Sequence, residues 1–171
     1  MAAPTSSTPL LTAARQGLWN AIENWPSLAG VFKRSYRCED KGQTQGLVPE
    51  PTSTMDLPAI AIYPASGDSP WITNAQQELT YALTLSIWTE TWSLLAIERL
   101  YEQIVIAIQR SKDANGLEYW RASTGPGAAI VSKLTIGQFA AAAQPVGENG
   151  PVASRWDLPV VLGIRWAPRG D

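Results

Sequence analysis

The sequence predicts an α+β domain, in which a single mostly antiparallel β-sheet of four to five strands carries two main helices packed on one face. Three segments support this class: a strand from Glu78 to Trp88, a helix from Leu94 to Arg110 and a strand from Arg155 to Trp166. Apolar residues alternate in both strands, whereas they recur every three to four residues in the helix. Because the apolar sheet face and the apolar helix stripe can cover each other, we expect the other sheet face to be polar.

The two central segments divide their residues clearly between core and surface. The strand places Leu79, Tyr81, Leu83, Leu85 and Ile87 on one face, and Glu78, Thr80, Thr84 and Ser86 on the other. The helix has an apolar stripe of Leu94, Ile97, Leu100, Tyr101, Ile104 and Ile108, and a polar side of Glu98, Arg99, Glu102, Gln103 and Arg110. The two apolar sets are therefore predicted to form most of the core.

The first half of the chain contains a helix, two short strands and a long loop. An amphipathic helix is predicted from Leu11 to Trp25, where Pro26 ends it, and Gly30 precedes a short strand from Val31 to Arg37. The segment from Cys38 to Leu57 lacks periodicity and is predicted to be a long contact loop. A compact strand follows from Pro58 to Tyr63.

The second half alternates short elements with strands. A short helical turn is predicted within Leu117 to Gly127, before a strand from Ala129 to Ala140 that has Ile130, Leu134 and Ile136 on one face. Pro159 indicates that the final strand lies at an edge or contains a bulge. We expect sequential strands to pair antiparallel, apart from the crossover made by the central helix. The chain, 1–171, is predicted to be one domain with a long loop at 38–57.

Composition excludes several classes of enzyme. The 171-residue chain has no histidine and one cysteine, Cys38. This excludes Ser-His and Cys-His catalysis, removes the commonest metal ligand and leaves no intramolecular disulfide. We therefore predict a non-enzymatic protein with no catalytic residue, no cofactor and no metal. A net charge of −2 gives no overall attraction for a phosphate backbone.

The sequence contains no signal for secretion or membrane insertion. The segment from Met1 to Leu10 lacks a basic residue and an apolar core. The segment from Leu94 to Ile108 is too short and too charged to cross a bilayer. A soluble protein without a membrane partner is expected.

Candidate contact residues cluster in the short strand. The aromatic residues Phe32 and Tyr36 are interleaved with Lys33, Arg34 and Arg37. This pattern suits binding of single-stranded nucleic acid, and the alternative is an edge strand kept soluble by its charges. Trp71 follows a proline in a turn and is a candidate interface residue. Elsewhere, Trp88 and Trp92 form either a binding platform or, as we favour, a packing contact. Carboxylates in close pairs, Glu39 with Asp40 and Glu98 with Glu102, could serve acid-base catalysis but are more typical of solvated surfaces.

In its layout the chain resembles the tail terminator and head-to-tail joining (neck) proteins of tailed bacteriophages. The resemblance rests on the opening helix, the motif Leu57-Pro-Ala-Ile-Ala-Ile-Tyr63 before a hairpin, the long strand that runs into a helix, and the closing strand from Leu158 to Trp166. It covers most of the chain. Its signals are patterns of elements, not a set of invariant residues.

The resemblance implies a structural virion protein, assembled in the host cytoplasm. Such a protein forms a homohexameric ring that caps the tail tube and joins it to the neck or connector, with DNA passing through the lumen without sequence-specific binding. Its partners would be its own copies, the tail tube protein and neck proteins. The alternatives are another tail or neck completion protein, a nucleic-acid binding module and, in a different class, a small hydrolase or transferase that uses carboxylates.

Overall fold

The computed structural model describes residues 10–37, 51–64, 78–90, 94–112, 119–123, 128–145 and 152–166. These residues contain two α-helices, α1 (Leu10–Glu23) and α2 (Leu94–Arg110). The strands are β1 (Arg34–Arg37), β2 (Ala59–Pro64), β3 (Glu78–Thr89), β4 (Trp120–Ser123), β5 (Ala128–Ile136), β6 (Ala140–Pro145) and β7 (Val152–Trp166). The predicted α+β class is confirmed, although the described strands number seven instead of four or five.

All the strands belong to one sheet. Six of them lie in the order β1-β2-β3-β7-β5-β4, and β6 pairs with β7 beside the end of β5. Every pair is antiparallel except β1 with β2, which is parallel. The expected antiparallel pairing is therefore wrong for these two strands. A parallel pair needs a crossover of a dozen or more residues, and 38–58 supplies that length.

The main core lies between the sheet and the two helices. Both helices present their apolar stripes to it as predicted: Leu18 and Ile22 of α1, and Ile104 and Ile108 of α2, are at most 1% exposed. They pack on alternate residues of the three central strands: Ile60 and Ile62; Tyr81, Leu83 and Leu85; Leu158, Val160, Leu162 and Ile164. We call this side of the sheet the helix face, and the opposite side the outer face.

Two buried α1 residues were not predicted as core. Trp19 is fully buried in the main cluster, because α1 also contacts β4 and β5 and so buries a wider face than its predicted stripe. Arg15 is buried as well, and its guanidinium donates a hydrogen bond to the Tyr81 hydroxyl at 3.2 Å. A buried cation thus joins the first helix to the longest strand of the hairpin β2–β3.

The segments after α2 differ from the prediction in three ways. The predicted strand from Ala129 to Ala140 is divided between β5, which ends at Ile136, and β6, which begins at Ala140. Residues 120–123 form the strand β4, not a helical turn, because they pair with β5 as an antiparallel hairpin. The pairing of β5 with β7 shifts between Val131 and Lys133, which indicates a bulge. Val131 therefore points to the helix face and is fully buried, whereas Ile130 falls on the outer face, opposite Arg165.

Of the two predicted settings for Pro159, a strand edge or a bulge, the edge is wrong, because β7 is a central strand of the sheet. The Pro159 carbonyl accepts a hydrogen bond from Gly137 N–H at 2.8 Å. Gly137 is the first of the three residues that separate the end of β5 from the start of β6. In a strand, the N–H and C=O of one residue point to the same side. The side on which Pro159 lacks an N–H therefore faces the gap between β5 and β6, where no strand needs that donor. The interruption of pairing that a proline requires is therefore the gap between β5 and β6, and β7 itself stays regular.

The segment between α1 and β1 differs from the prediction in its bounds, because α1 ends at Glu23, not at Trp25, and β1 begins at Arg34, not at Val31. Gly30 has φ 73°, a left-handed conformation that glycine adopts without strain, just before the chain enters β1. Trp25 follows α1, and its indole N–H donates to Gln103 of α2 at 3.0 Å. Neither described helix has the length and apolar character needed to cross a membrane.

Candidate functional site

The outer face contains a second buried cluster, which the sequence did not predict. Trp88 is 1% exposed although it lies on the face expected to be polar. Its partners are Leu57, Ala59, Ala61, Tyr63 and Ala153, with Tyr36 packed against them. The three alanines leave room for the indole ring beside them. Toward the other end of β3 the side chains of this face are more open, and Thr80 is exposed.

Four polar side chains on the outer face form one connected network. Ser86 is fully buried, donates to an Asp157 carboxylate oxygen, and shares a hydrogen bond of 2.8 Å with the Tyr63 hydroxyl. Arg155 closes the network, because its Nε donates to Asp157 Oδ1 at 2.8 Å and its Nη2 donates to Tyr63 Oη at 2.7 Å. Strand register brings these groups together, since Ser86 lies directly opposite Asp157 in the ladder of β3 and β7.

The network touches the second cluster through its arginine. The Arg155 guanidinium carbon lies 5.6 Å from the centre of the Trp88 ring, within the range of a cation–π contact. On the far side, the ring of Tyr36 meets Trp88 edge-on at 6.4 Å. Strands β1, β2, β3 and β7 are therefore linked across the outer face by side chains as well as by backbone hydrogen bonds.

Burial and charge shift the titration of two network groups. The pKa of Tyr63 is raised, mainly because burial disfavours the phenolate, and the nearby Asp157 carboxylate adds to this. Burial alone would lower the pKa of Arg155. Its hydrogen bonds and its attraction to Asp157 and Tyr63 outweigh that effect, so the pKa is raised. Both groups are therefore held in the protonated form that the hydrogen bonds need.

The raised pKa of Tyr63 predicts a loss of stability in alkali. A proton held more tightly in the folded state contributes stability below the unfolded pKa of about 10, and this is lost as pH rises through the folded value. We expect the free energy of unfolding to fall above about pH 10, and to fall less steeply in Tyr63→Phe. Urea unfolding at a series of pH values checks this. Equal slopes in both proteins would contradict it.

The predicted contact residues of the first strand are placed at the sheet edge. Arg34 is exposed, and its Nε forms an ion pair with Asp56 Oδ1 at 2.9 Å, an interaction that raises the pKa of Arg34. Tyr36 is half-buried against Trp88 and is not free to stack on a base. Lys33 is exposed just before β1. The side chain of Arg37 and the whole of Trp71 lie outside the described residues.

The partner of Arg34 comes from the segment predicted as a loop. Thr54–Asp56 form one turn of 3-10 helix, and the Ser53 hydroxyl caps it by accepting from Met55 N–H at 3.2 Å. Residues 38–50 lie outside the described part of the chain. The described end of the loop is therefore an ordered support for β1, and the proposed contact role of the remainder stays a prediction.

A cleft of about 520 Å³ lies between the start of β1 and α2. Its wall includes the apolar residues Leu28, Val31, Leu57 and Leu100, and its charged residues are Lys33, Glu90 and Arg99. Lys33 and Arg99 of α2 thus line the same cleft, an association that the sequence did not predict. The cleft combines an apolar wall with two cations and one carboxylate.

The two described carboxylates that were weighed for catalysis, Glu98 and Glu102, do not line this cleft. Glu98 and Glu102 are exposed on α2, whereas Glu39 and Asp40 lie outside the described residues. In the described ranges, no group of three or more Asp, Glu or Cys side chains is placed to hold a metal ion. Trp88 is a packing residue, as favoured from sequence, and Trp92 is outside the described part.

Sequence reasoning missed the polar network for a definable reason. Asp157 and Arg155 alternate with apolar residues in the last strand and therefore resemble ordinary surface positions. Only the register of β7 on β3 shows that they meet Ser86, and register is not encoded in the period of either strand. The one available signal was two opposite charges, two residues apart, on the same face of a long strand.

Comparisons with known proteins add no family assignment. No protein-family model matches the chain, and no curated protein matches it.

Proposed function

We propose that this chain is a structural virion protein that forms a hexameric ring, caps a phage tail tube and joins it to the neck. The observation that carries the proposal is the path from β3 into α2. A twelve-residue strand leads within a few residues into a helix of 17 residues, and that helix packs back on the same sheet beside α1. This is the layout on which the resemblance to tail terminator and head-to-tail joining proteins rests.

The second cluster supports a mechanical role. A ring that holds a tube end must keep its shape while it is attached on two sides, and the outer face is tied across four strands by the Trp88 cluster and the Asp157 network. The partners in this role are other copies of the chain, the tail tube protein and the neck proteins. DNA passes through the lumen, and the net charge of −2 suits a wall that does not grip it.

The first test is the mass of the purified protein in solution, combined with binding to tail tube protein. We expect light scattering to give a multiple of the chain mass that fits a closed ring, and we expect the ring to bind tube ends. A mass of 18.5 kDa, which is that of a single chain, together with no binding to tail tube protein, would contradict the proposal. Binding only to distal tail structures would favour the alternative of another tail completion protein.

The nucleic-acid binding module is tested separately, through the cations of the first strand. The proposal predicts that single-stranded DNA binds weakly, and that neutralising Lys33, Arg34 and Arg37 changes this binding little. Two described contacts support that expectation, since Arg34 is paired with Asp56 and Tyr36 is packed on Trp88. Strong, salt-sensitive binding that is lost in the triple variant would instead establish the module.

A further inference from the structure

We propose that copies of this chain join edge to edge, with β6 of one copy pairing antiparallel with β1 of the next, so that the sheet continues from copy to copy. The inference rests on the proposed function, because a ring supplies the second copy. It goes further by naming the two surfaces that meet.

Both strands have one open edge within the described part of the chain. β1 pairs only with β2, and β6 pairs only with β7. β4 does not cover β6, because it pairs along β5 at the other end of the sheet. Each open edge presents backbone N–H and C=O groups that a further strand can bind.

The composition of β6 is unusual for an edge strand that stays unpaired. Its sequence is Ala-Ala-Ala-Ala-Gln-Pro, which contains no charge, and Ala140 and Ala141 are exposed. Edge strands that must not pair usually carry charges, especially lysine, or bulges. Only Pro145, at the last position, limits pairing here. The first five residues are therefore suited to accept another strand.

The directions of the strands fit such a contact. β1 runs parallel to β2, β2 and β7 both run antiparallel to β3, and β6 runs antiparallel to β7. β1 and β6 therefore run in opposite directions. When a second copy is placed in the same orientation beside the first, its β1 lies antiparallel to β6, which is the more stable kind of pairing.

The two faces of the sheet also match across the contact. Ser35 of β1 pairs with Ile60, whose side chain is in the helix-face core, and Ala141 of β6 pairs with Trp156, which packs on the same core. Ser35 and Ala141 are thus helix-face positions with small side chains. The joined sheet keeps the helices of every copy on one side. Because different edges meet, the contact is heterologous and closes into a ring when the rotation permits.

Charge selects this contact over pairing between two β1 strands. Pairing between two β1 strands would gather the positive charges of both copies, Arg34 and Arg37 of each strand, at one contact, and like charges that come close across a sheet destabilise it. The uncharged β6 carries no such penalty. Arg34 already forms an ion pair with Asp56 of its own copy, so it does not need a carboxylate from the neighbouring copy.

Disulfide cross-linking tests the contact directly. In a Cys38→Ser background, Ser35→Cys is combined with Ala141→Cys, and in a second protein with Ala143→Cys, two residues further along, to cover a shift of register. The matched control combines Ser35→Cys with Ala140→Cys, which lies on the outer face opposite Asp157. The residues at 35, 140 and 141 are exposed, so these changes should leave the fold intact, and circular dichroism checks this.

After mild oxidation, we expect at least one of the two helix-face cysteine pairs to give a series of disulfide-linked oligomers. The largest of them should contain as many copies as the ring. The single variants and the outer-face control should remain unlinked. A ring in light scattering without a cross-link from either helix-face pair would overturn edge pairing but leave the proposed function standing. Linked dimers from Ala141→Cys alone would also overturn it, in favour of two-fold β6 contacts. A strict monomer that binds no tail tube protein would overturn the proposed function itself.

Discussion

Replacing Trp88 by alanine is expected to lower the free energy of unfolding by about 3–5 kcal/mol, the range for deleting a buried aromatic side chain. The ring is 1% exposed, although it lies on the sheet face away from both helices. Its loss opens a cavity between Ala59, Ala61 and Ala153, and it removes the contacts with Tyr36 and Arg155. Small neighbours on rigid strands cannot collapse to fill the space. Urea unfolding monitored by circular dichroism measures the change.

Thr80→Ala is the matched control for Trp88→Ala. Thr80 lies on the same face of the same strand but is exposed, so its removal should change stability by no more than about 0.5 kcal/mol. If both variants unfolded within about 1 kcal/mol of the wild type, the outer face would be an ordinary solvated surface. That result would contradict the claim that the second cluster stabilises the fold.

Asp157→Ala is expected to lower the free energy of unfolding by about 2–3 kcal/mol, because a partly buried arginine and a buried hydroxyl lose a charged hydrogen-bond acceptor. The carboxylate accepts from both Ser86 and Arg155, and its removal leaves a fully buried hydroxyl and a guanidinium Nε without that acceptor. The Asp157 side chain is 33% exposed, so water can replace part of the loss. For this reason we expect less than the cost of breaking a fully buried ion pair.

The chain offers an internal control in its exposed ion pair. Asp56→Ala breaks the pair with Arg34, whose side chain is 64% exposed, so a clearly smaller loss of stability is expected. A double-mutant cycle of Asp157→Ala with Arg155→Ala then measures the coupling within the network. Equal effects of Asp157→Ala and Asp56→Ala, or no coupling between Asp157 and Arg155, would contradict the network as described.

The sequence predicted the elements of the helix face well, because their apolar periods are long and regular. β3, α2 and β7 each span more than ten residues, and their buried positions on the helix face follow the predicted alternation or stripe. Length is what makes this possible, since one irregular residue does not hide a pattern repeated over several turns or pleats.

Short elements and pairings were harder to predict, because tertiary context decides them. Four residues of β4 have too few repeats to distinguish a strand from a turn, and a bulge near Ser132 reverses the face of Ile130. The parallel pairing of β1 depends on the path of the long connection, not on its own residues.

In the candidate site as well, residues that stand out in a local pattern were predicted, whereas residues that strand register or tertiary contact brings together were not. The exposed cations Lys33 and Arg34 were identified from sequence, because clusters of charge are visible locally. Asp56, which pairs with Arg34, and Arg99, which lines the same cleft as Lys33, come from distant parts of the chain and were not identified. The network of Asp157 depends entirely on the register between β3 and β7.

The location of the chain in an intact phage particle tests the central proposal most directly. Cryo-electron microscopy of tailed particles, with a labelled antibody to mark this chain, would give both its position and its copy arrangement. A single closed ring at the junction of tail tube and neck is the expected result. Finding the chain only at the distal end of the tail, or not in the particle at all, would contradict its role as a ring that caps the tube and joins it to the neck.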